Sequence, residues 1–142
     1  MSRIVIVSGG FDPIHVGHIE LFEKARSLGD GLTVILNTDE FLMKKKGKIF
    51  MPLEERKKII ESLSVVDLVA VSKDEDQTVC KTLTMMASIR AEEDVLMFCN
   101  GGDRTSGENT PEHRVCEQLG IETVYGLGEK IQSSSWLTDE KG

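Results

Sequence analysis

The sequence predicts a doubly wound α/β fold, a parallel sheet of about five strands with helices on both faces. Three observations carry this. Unbroken apolar runs rich in Val and Ile recur along the chain, as in strands buried on both faces. Segments with helical spacing separate them, so strand and helix alternate throughout. Prolines and glycines fall where helices should begin and end.

The first run, Ile4 to Val7, reads as a strand, followed by a helix from Gly17 to Leu28 that Gly29 ends. Leu32 to Leu36 is the second strand. Asp39 to Met51 reads as one long basic loop, and Pro52 followed by Leu-Glu-Glu suits the first turn of a helix running to Leu63. Leu68 to Val71 is the third strand. The helix expected over Gln77 to Ile89 carries Leu83, Met85, Met86 and Ile89 at core spacing, so the methionines read as packing residues. Val95 to Cys99 is the fourth strand, and a glycine-containing loop covers Gly101 to Asn109. Pro111 opens a helix that reaches Leu119 and stops at Gly120, with His113 exposed and inert near its start. A short strand, Glu122 to Tyr125, closes the pattern.

A chain of 142 residues without internal repeats or a low-complexity linker is expected to form one domain over residues 1–142. The net charge of -7 argues against broad nucleic-acid or anionic-membrane binding, so an anionic substrate would need a local basic site. No apolar run approaches the roughly 20 residues of a spanning helix, and the expected location is cytoplasmic. Cys80, Cys99 and Cys116 are odd in number and lack a CxxC pair, which suggests buried thiols in a reducing compartment.

Ligands of doubly wound sheets bind beyond the carboxyl ends of the strands, which directs attention to SGGFDPIHVGH, where the first strand gives way to the first helix. Ser8, Gly9 and Gly10 allow close backbone approach, and a helix amino terminus presents unpaired N–H groups, together an anion site. His15 and His18 project from nearly one face of the first turn toward whatever anion the backbone holds, where they could bind phosphate oxygens and neutralise charge on a leaving pyrophosphate. Two other readings stay open: metal ligation, for which no third ligand sits at a familiar offset, and helix capping without chemistry. Lys44 to Lys48 reads either as a solvated charge run or as phosphate-binding charge. Arg56, in a first helical turn, reads as a salt-bridge partner of Asp39 or a glutamate. Asp12 could cap the first helix through its carboxylate.

GGFDPIHVGHIELFEKARSLGD resembles the signature of the HxGH nucleotidyltransferases, the cytidylyltransferase-like superfamily. Asn37-Thr-Asp-Glu-Phe, the lysine-rich stretch and Glu54-Glu-Arg56 are similar to the corresponding run in glycerol-3-phosphate cytidylyltransferases and heptose-phosphate adenylyltransferases. The resemblance implies a Rossmann-like α/β/α domain that transfers a nucleoside monophosphate from CTP or ATP to a phosphorylated acceptor. It implies His15, His18 and Lys45 as catalytic residues, and Ser8, Gly9, Gly10, Phe11, Asp12 and Gly17 as nucleotide-binding ones. Lys46, Lys48 and Arg56 would contact the acceptor or its phosphate.

Two later stretches extend the resemblance. Asn100-Gly-Gly-Asp-Arg104 is similar to the segment that lies against base and ribose, which implicates Gly102, Asp103 and Arg104, although Asp103 and Arg104 also read as a simple turn. Gln132, Ser133, Ser134 and Ser135 resemble the carboxy-terminal Ser/Thr signature that contacts the triphosphate. The glycerol-phosphate enzymes begin that signature with arginine, whereas Gly128 stands here and Lys130 is the nearest cation. Trp136 reads as a core anchor rather than a base-stacking platform. Mg²⁺ is expected with the triphosphate rather than on protein ligands, and a homodimer is expected from the resemblance alone.

CTP with a small phosphorylated alcohol or sugar, as in the glycerol-3-phosphate cytidylyltransferases, is the favoured pairing, and ATP with a sugar phosphate such as heptose 1-phosphate the alternative. The missing arginine would also suit a nucleotide-sensing domain that binds without transfer. A redox dinucleotide site is disfavoured because the first turn lacks GxGxxG.

Overall fold

A computed structural model of the chain describes residues 2–72, 80–89, 94–99 and 111–124. Five strands form one parallel sheet: β1 (Arg3–Gly9), β2 (Gly31–Leu36), β3 (Leu68–Val71), β4 (Val95–Cys99) and β5 (Glu122–Val124), in the order β3-β2-β1-β4-β5. The helices are α1 (Val16–Arg26), α2 (Asp39–Lys46), α3 (Leu53–Glu61), α4 (Cys80–Ile89) and α5 (Pro111–Leu119). The doubly wound prediction holds.

Side-chain alternation along the strands builds two cores, one on each face. Val5, Val7, Leu32, Val34 and Leu36 pack with Phe22 and Ala25 of α1 and Ile60 of α3. Ile6, Ile35, Leu96 and Phe98 pack on the opposite face with Leu83 of α4 and Cys116 of α5. Because β1 is flanked by β2 and β4, whose helices cover opposite faces, the connections diverge beyond its carboxyl end.

The expected loop over Asp39 to Met51 is instead largely a helix. Thr38 caps α2 by accepting from the Phe41 N–H at 3.0 Å, Asp39 and Glu40 suit the positive end of the dipole, and Phe41 and Leu42 are buried. Gly47, at φ 81°, ends it with an N–H to the Met43 carbonyl. Lys44 to Lys46 therefore occupy the final turn, where cations complement the dipole. Gly120, at φ 75°, follows α5 as expected. Gly29 has another reason to be glycine: a Cβ there would stand 2.6 Å from the Arg3 carbonyl oxygen.

Candidate active site

Beyond β1 the chain turns sharply before α1 begins. Phe11 takes a left-handed conformation at φ 51° yet is 6% exposed, its ring edge-on to both Phe22 (5.1 Å between centroids) and His18 (4.8 Å). The Phe11 side chain belongs to the core, and the His18 ring rests against it. Gly10 faces α2 closely, since a Cβ would lie 2.8 Å from a Leu42 methyl.

His15 is the N-cap of α1 and His18 the third residue of its first turn. His15 Nδ1 accepts from the Gly17 N–H at 3.0 Å, and His18 Nδ1 accepts from the His15 N–H at 3.2 Å, a reciprocal arrangement of the capping-box kind. The rings stack, with centroids 3.8 Å apart and planes at 25°. The N–H groups of His18 and Ile19 bond to the His15 carbonyl. The expectation that the backbone would meet the anion is thus corrected at positions 17 to 19: those donors are already paired, Gly17 included. What the helix end offers outward is imidazole.

The caps also set the chemistry of the rings. A neutral imidazole accepting at Nδ1 carries its proton on Nε2, so both rings are arranged as Nε2–H donors. Protonating Nδ1 would forfeit a cap, and burial opposes the charge. His18 is pushed down to about 3, chiefly by burial and secondarily by His15, while burial alone lowers His15. In this structure burial favours the uncharged form of both rings. His15 Nε2 is buried and has no hydrogen-bond partner. A buried donor without an acceptor costs about 1–3 kcal/mol.

Asp12 stands before the N-cap of α1, which is His15. Asp12 is 1% exposed and accepts from the Phe50 N–H at 2.8 Å and from the Met51 N–H, which fastens the segment after α2 to the turn beyond β1.

Arg56, expected at the acceptor phosphate, is fully buried. Nε donates to the Met51 carbonyl at 2.9 Å, Nη1 to the carbonyls of Gly10 (2.9 Å) and Asn37 (2.8 Å), and Nη2 to Asp39 Oδ1 at 2.7 Å. Asp39 Oδ1 also receives the Leu53 N–H. Only a deeply placed guanidinium with several donors in fixed geometry can tie β1, β2 and the start of α3 together in this way. Arg56 positions the site's backbone, and the alternative of an ion pair with Asp39 is the one realised.

Ser8 is half-buried at the end of β1, and Lys48 is exposed. The side chains of Lys45 and Lys46 lie outside the described residues, as do Asn100, Gly102, Asp103, Arg104, Gly128, Lys130, Gln132, Ser133, Ser134, Ser135 and Trp136. One feature that spacing did not single out is Asn37. It is 7% exposed beyond β2, with its side-chain Oδ1 buried and unpartnered. The signal was a polar residue ending the otherwise apolar run GLTVIL.

The cytidylyltransferase-like family model matches residues 6–127. The chain belongs to the cytidylyltransferase-like family. The glycerol-3-phosphate cytidylyltransferase of Bacillus subtilis is 45% identical over 73 residues, 51% of this chain and 57% of that protein. The bifunctional protein HldE of Hahella chejuensis is 31% identical over 138 residues, 96% of this chain and 25% of that protein. The cytidylyltransferase match spans little more than half of that relative. The crystal structure of the lipopolysaccharide core biosynthesis protein from Thermoplasma volcanium superposes with a TM-score of 0.66 at 24% identity, over 89% of this chain and 95% of that one. That likeness shows the shared fold.

Proposed function

We propose that the protein transfers CMP from CTP to a small phosphorylated alcohol or sugar, with glycerol 3-phosphate as the type of acceptor. The observation that carries this reading is the histidine pair: two neutral imidazoles locked by the α1 cap as Nε2–H donors, one of them buried without an acceptor. Each ring accepts a main-chain N–H at Nδ1, which leaves an Nε2–H to offer an acceptor. The pair thereby extends the helix terminus by one hydrogen-bonded step toward an anion.

In the reaction, an oxygen of the acceptor's phosphate monoester attacks the α-phosphorus of the triphosphate in line. The new O–P bond forms as the bond to the β-phosphate bridging oxygen breaks, and pyrophosphate leaves with that electron pair. His15 and His18 donate hydrogen bonds to oxygens whose charge grows along this path. Lys45 supplies positive charge at the α-phosphate, with Lys46 and Lys48 toward the acceptor phosphate. Asp12 and Arg56 hold the two walls in register. Asp103, Arg104 and the serines Ser133 to Ser135 complete the nucleotide site in this reading.

Mg²⁺ belongs to the reading as the cation that accompanies the triphosphate and offsets its charge. Among the described residues no group of three or more His, Cys, Asp or Glu could hold a metal, and both Nδ1 atoms of the histidine pair are engaged by main chain. In this reading phosphate oxygens would hold the ion. A single domain, a cytoplasmic location and a homodimer complete the reading. Among the described residues no helix is long and apolar enough to cross a membrane, and no disulfide joins Cys80, Cys99 or Cys116.

The match to HldE along nearly the whole chain favours a second pairing, ATP with a sugar phosphate such as heptose 1-phosphate. Pyrophosphate release by a folded His18→Ala variant tests the histidine assignment. Loss of about a hundredfold in turnover is expected, and turnover near that of the wild type would overturn it.

A further inference from the structure

Asn37 lies directly after β2, beside the Gly9-Gly10 turn. Its N–H donates to the Gly9 carbonyl at 3.1 Å and its carbonyl accepts from Arg56 at 2.8 Å, so its main chain is pinned on both sides. Leu36 packs into the α1/α3 core and Ile35 into the α4/α5 core. By strand alternation Asn37 follows Ile35 to the α4 side. There it neighbours Ser72, whose N–H bonds to the Leu36 carbonyl at 2.8 Å and whose hydroxyl lies 3.5 Å from that of Thr82 on α4. Ser72 and Thr82 are buried, which makes a polar patch at the carboxyl ends of β2 and β3 within otherwise apolar layers.

A Leu or Val at position 37 would extend the apolar run and leave nothing unsatisfied. Asn instead buries an acceptor, Oδ1, without a donor, a penalty that a ligand can remove. Phosphate oxygens at neutral pH are acceptors and cannot satisfy it. A hydroxyl group can.

We propose that Asn37 is a specificity-determining substrate contact whose side-chain oxygen accepts a hydrogen bond from a substrate hydroxyl, from either the nucleotide ribose or the polyol of the phosphorylated acceptor. This rests on the reaction proposed above. The contact makes the site select hydroxylated substrates over deoxy analogues, because an analogue leaves the buried oxygen unpaired.

The test compares wild type, Asn37→Leu and Asn37→Asp by pyrophosphate release. One arm pairs the accepted ribonucleoside triphosphate with its 2′-deoxy and 3′-deoxy forms. The other pairs glycerol 3-phosphate with n-propyl phosphate. In the arm that contains the contact, wild type should favour the hydroxylated substrate about ten- to a hundredfold in kcat/KM. Asn37→Leu should lose that preference, and Asn37→Asp, which keeps an oxygen at the same place, should retain it. Asn37→Ala replaces the leucine variant should that one not fold. Equal preference in wild type and the leucine or alanine variant, in both arms, overturns the proposal. Should wild type release no pyrophosphate, the reaction reading fails, and calorimetric affinities for the same pairs decide Asn37 separately. A hydroxyl preference in binding that Asn37→Leu abolishes supports the contact. Absence of such a preference, or of any binding, overturns it.

Discussion

Acidification should release the helix cap that holds the two imidazoles, because each ring accepts a main-chain N–H at Nδ1. His18 titrates near 3 in the folded chain, against about 6.5 unfolded. Between those values the unfolded chain binds more protons, so stability rises with pH in this window. The contribution is fully present above about 6.5 and is lost as pH falls toward 3. Each pH unit of full difference is about 1.4 kcal/mol, so from pH 6.5 to 4.5 His18 could remove up to about 2.7 kcal/mol. Its partial solvent access reduces this to between about 1 and 2 kcal/mol. His15, also lowered, acts in the same direction.

Carboxylates titrate in the same range, so the informative quantity is the difference between wild type and His18→Gln, which keeps an acceptor for the His15 N–H but cannot titrate. Urea denaturation at pH 7, 6, 5 and 4.5 should show a steeper acid loss in wild type, and histidine proton NMR should show His18 uncharged at pH 5. Parallel stability curves together with a His18 resonance titrating near 6.5 would refute the cap-locked neutral pair.

Three further outcomes follow from the same geometry. Arg56→Met should lower unfolding stability by about 3–5 kcal/mol, since it strands three main-chain carbonyls and a carboxylate partner, and Arg56→Lys should recover only part of this. A urea midpoint for either variant equal to that of wild type would contradict its role as a tie. Gly29→Ala should destabilise by about 1–3 kcal/mol through the clash with the Arg3 carbonyl, whereas Gly47→Ala, with open space around its Cβ, should lose only about 1 kcal/mol from the left-handed conformation. Equal thermal shifts for the two would contradict that distinction. Asp12→Asn should raise proteolytic cleavage between Lys48 and Met51, because the Phe50 and Met51 N–H groups each bond to a different carboxylate oxygen and an amide offers only one acceptor, leaving the other N–H against its NH2. A cleavage rate unchanged from wild type would contradict the latch.

The strands were legible because burial on both faces leaves a plain mark: Leu68–Val71 and Val95–Cys99 match the apolar runs residue for residue. Helix α2 was hidden by its own composition. Its three lysines read as solvated loop, and the determinants that make it a helix, the Thr38 cap and a left-handed Gly47, are local geometries that periodicity does not weigh. Capping by His15 and His18 was among the readings the sequence left open, but nothing in the spacing tells which ring nitrogen the backbone occupies. Arg56 was assigned to a ligand by resemblance because sequence alone cannot distinguish a buried tie from an open contact. Asn37 became visible only once burial was combined with hydrogen-bond satisfaction.

Transfer itself is tested most directly by incubating the protein and Mg²⁺ with CTP or ATP, each against glycerol 3-phosphate and heptose 1-phosphate, while pyrophosphate and the mass of the product are followed. A nucleoside diphosphate-linked product, formed in equal amount with pyrophosphate and only when triphosphate and acceptor are both present, is the predicted result, with CTP and glycerol 3-phosphate the favoured pair. Tight triphosphate binding without either product across the four pairings would contradict transfer and point to a domain that senses nucleotide.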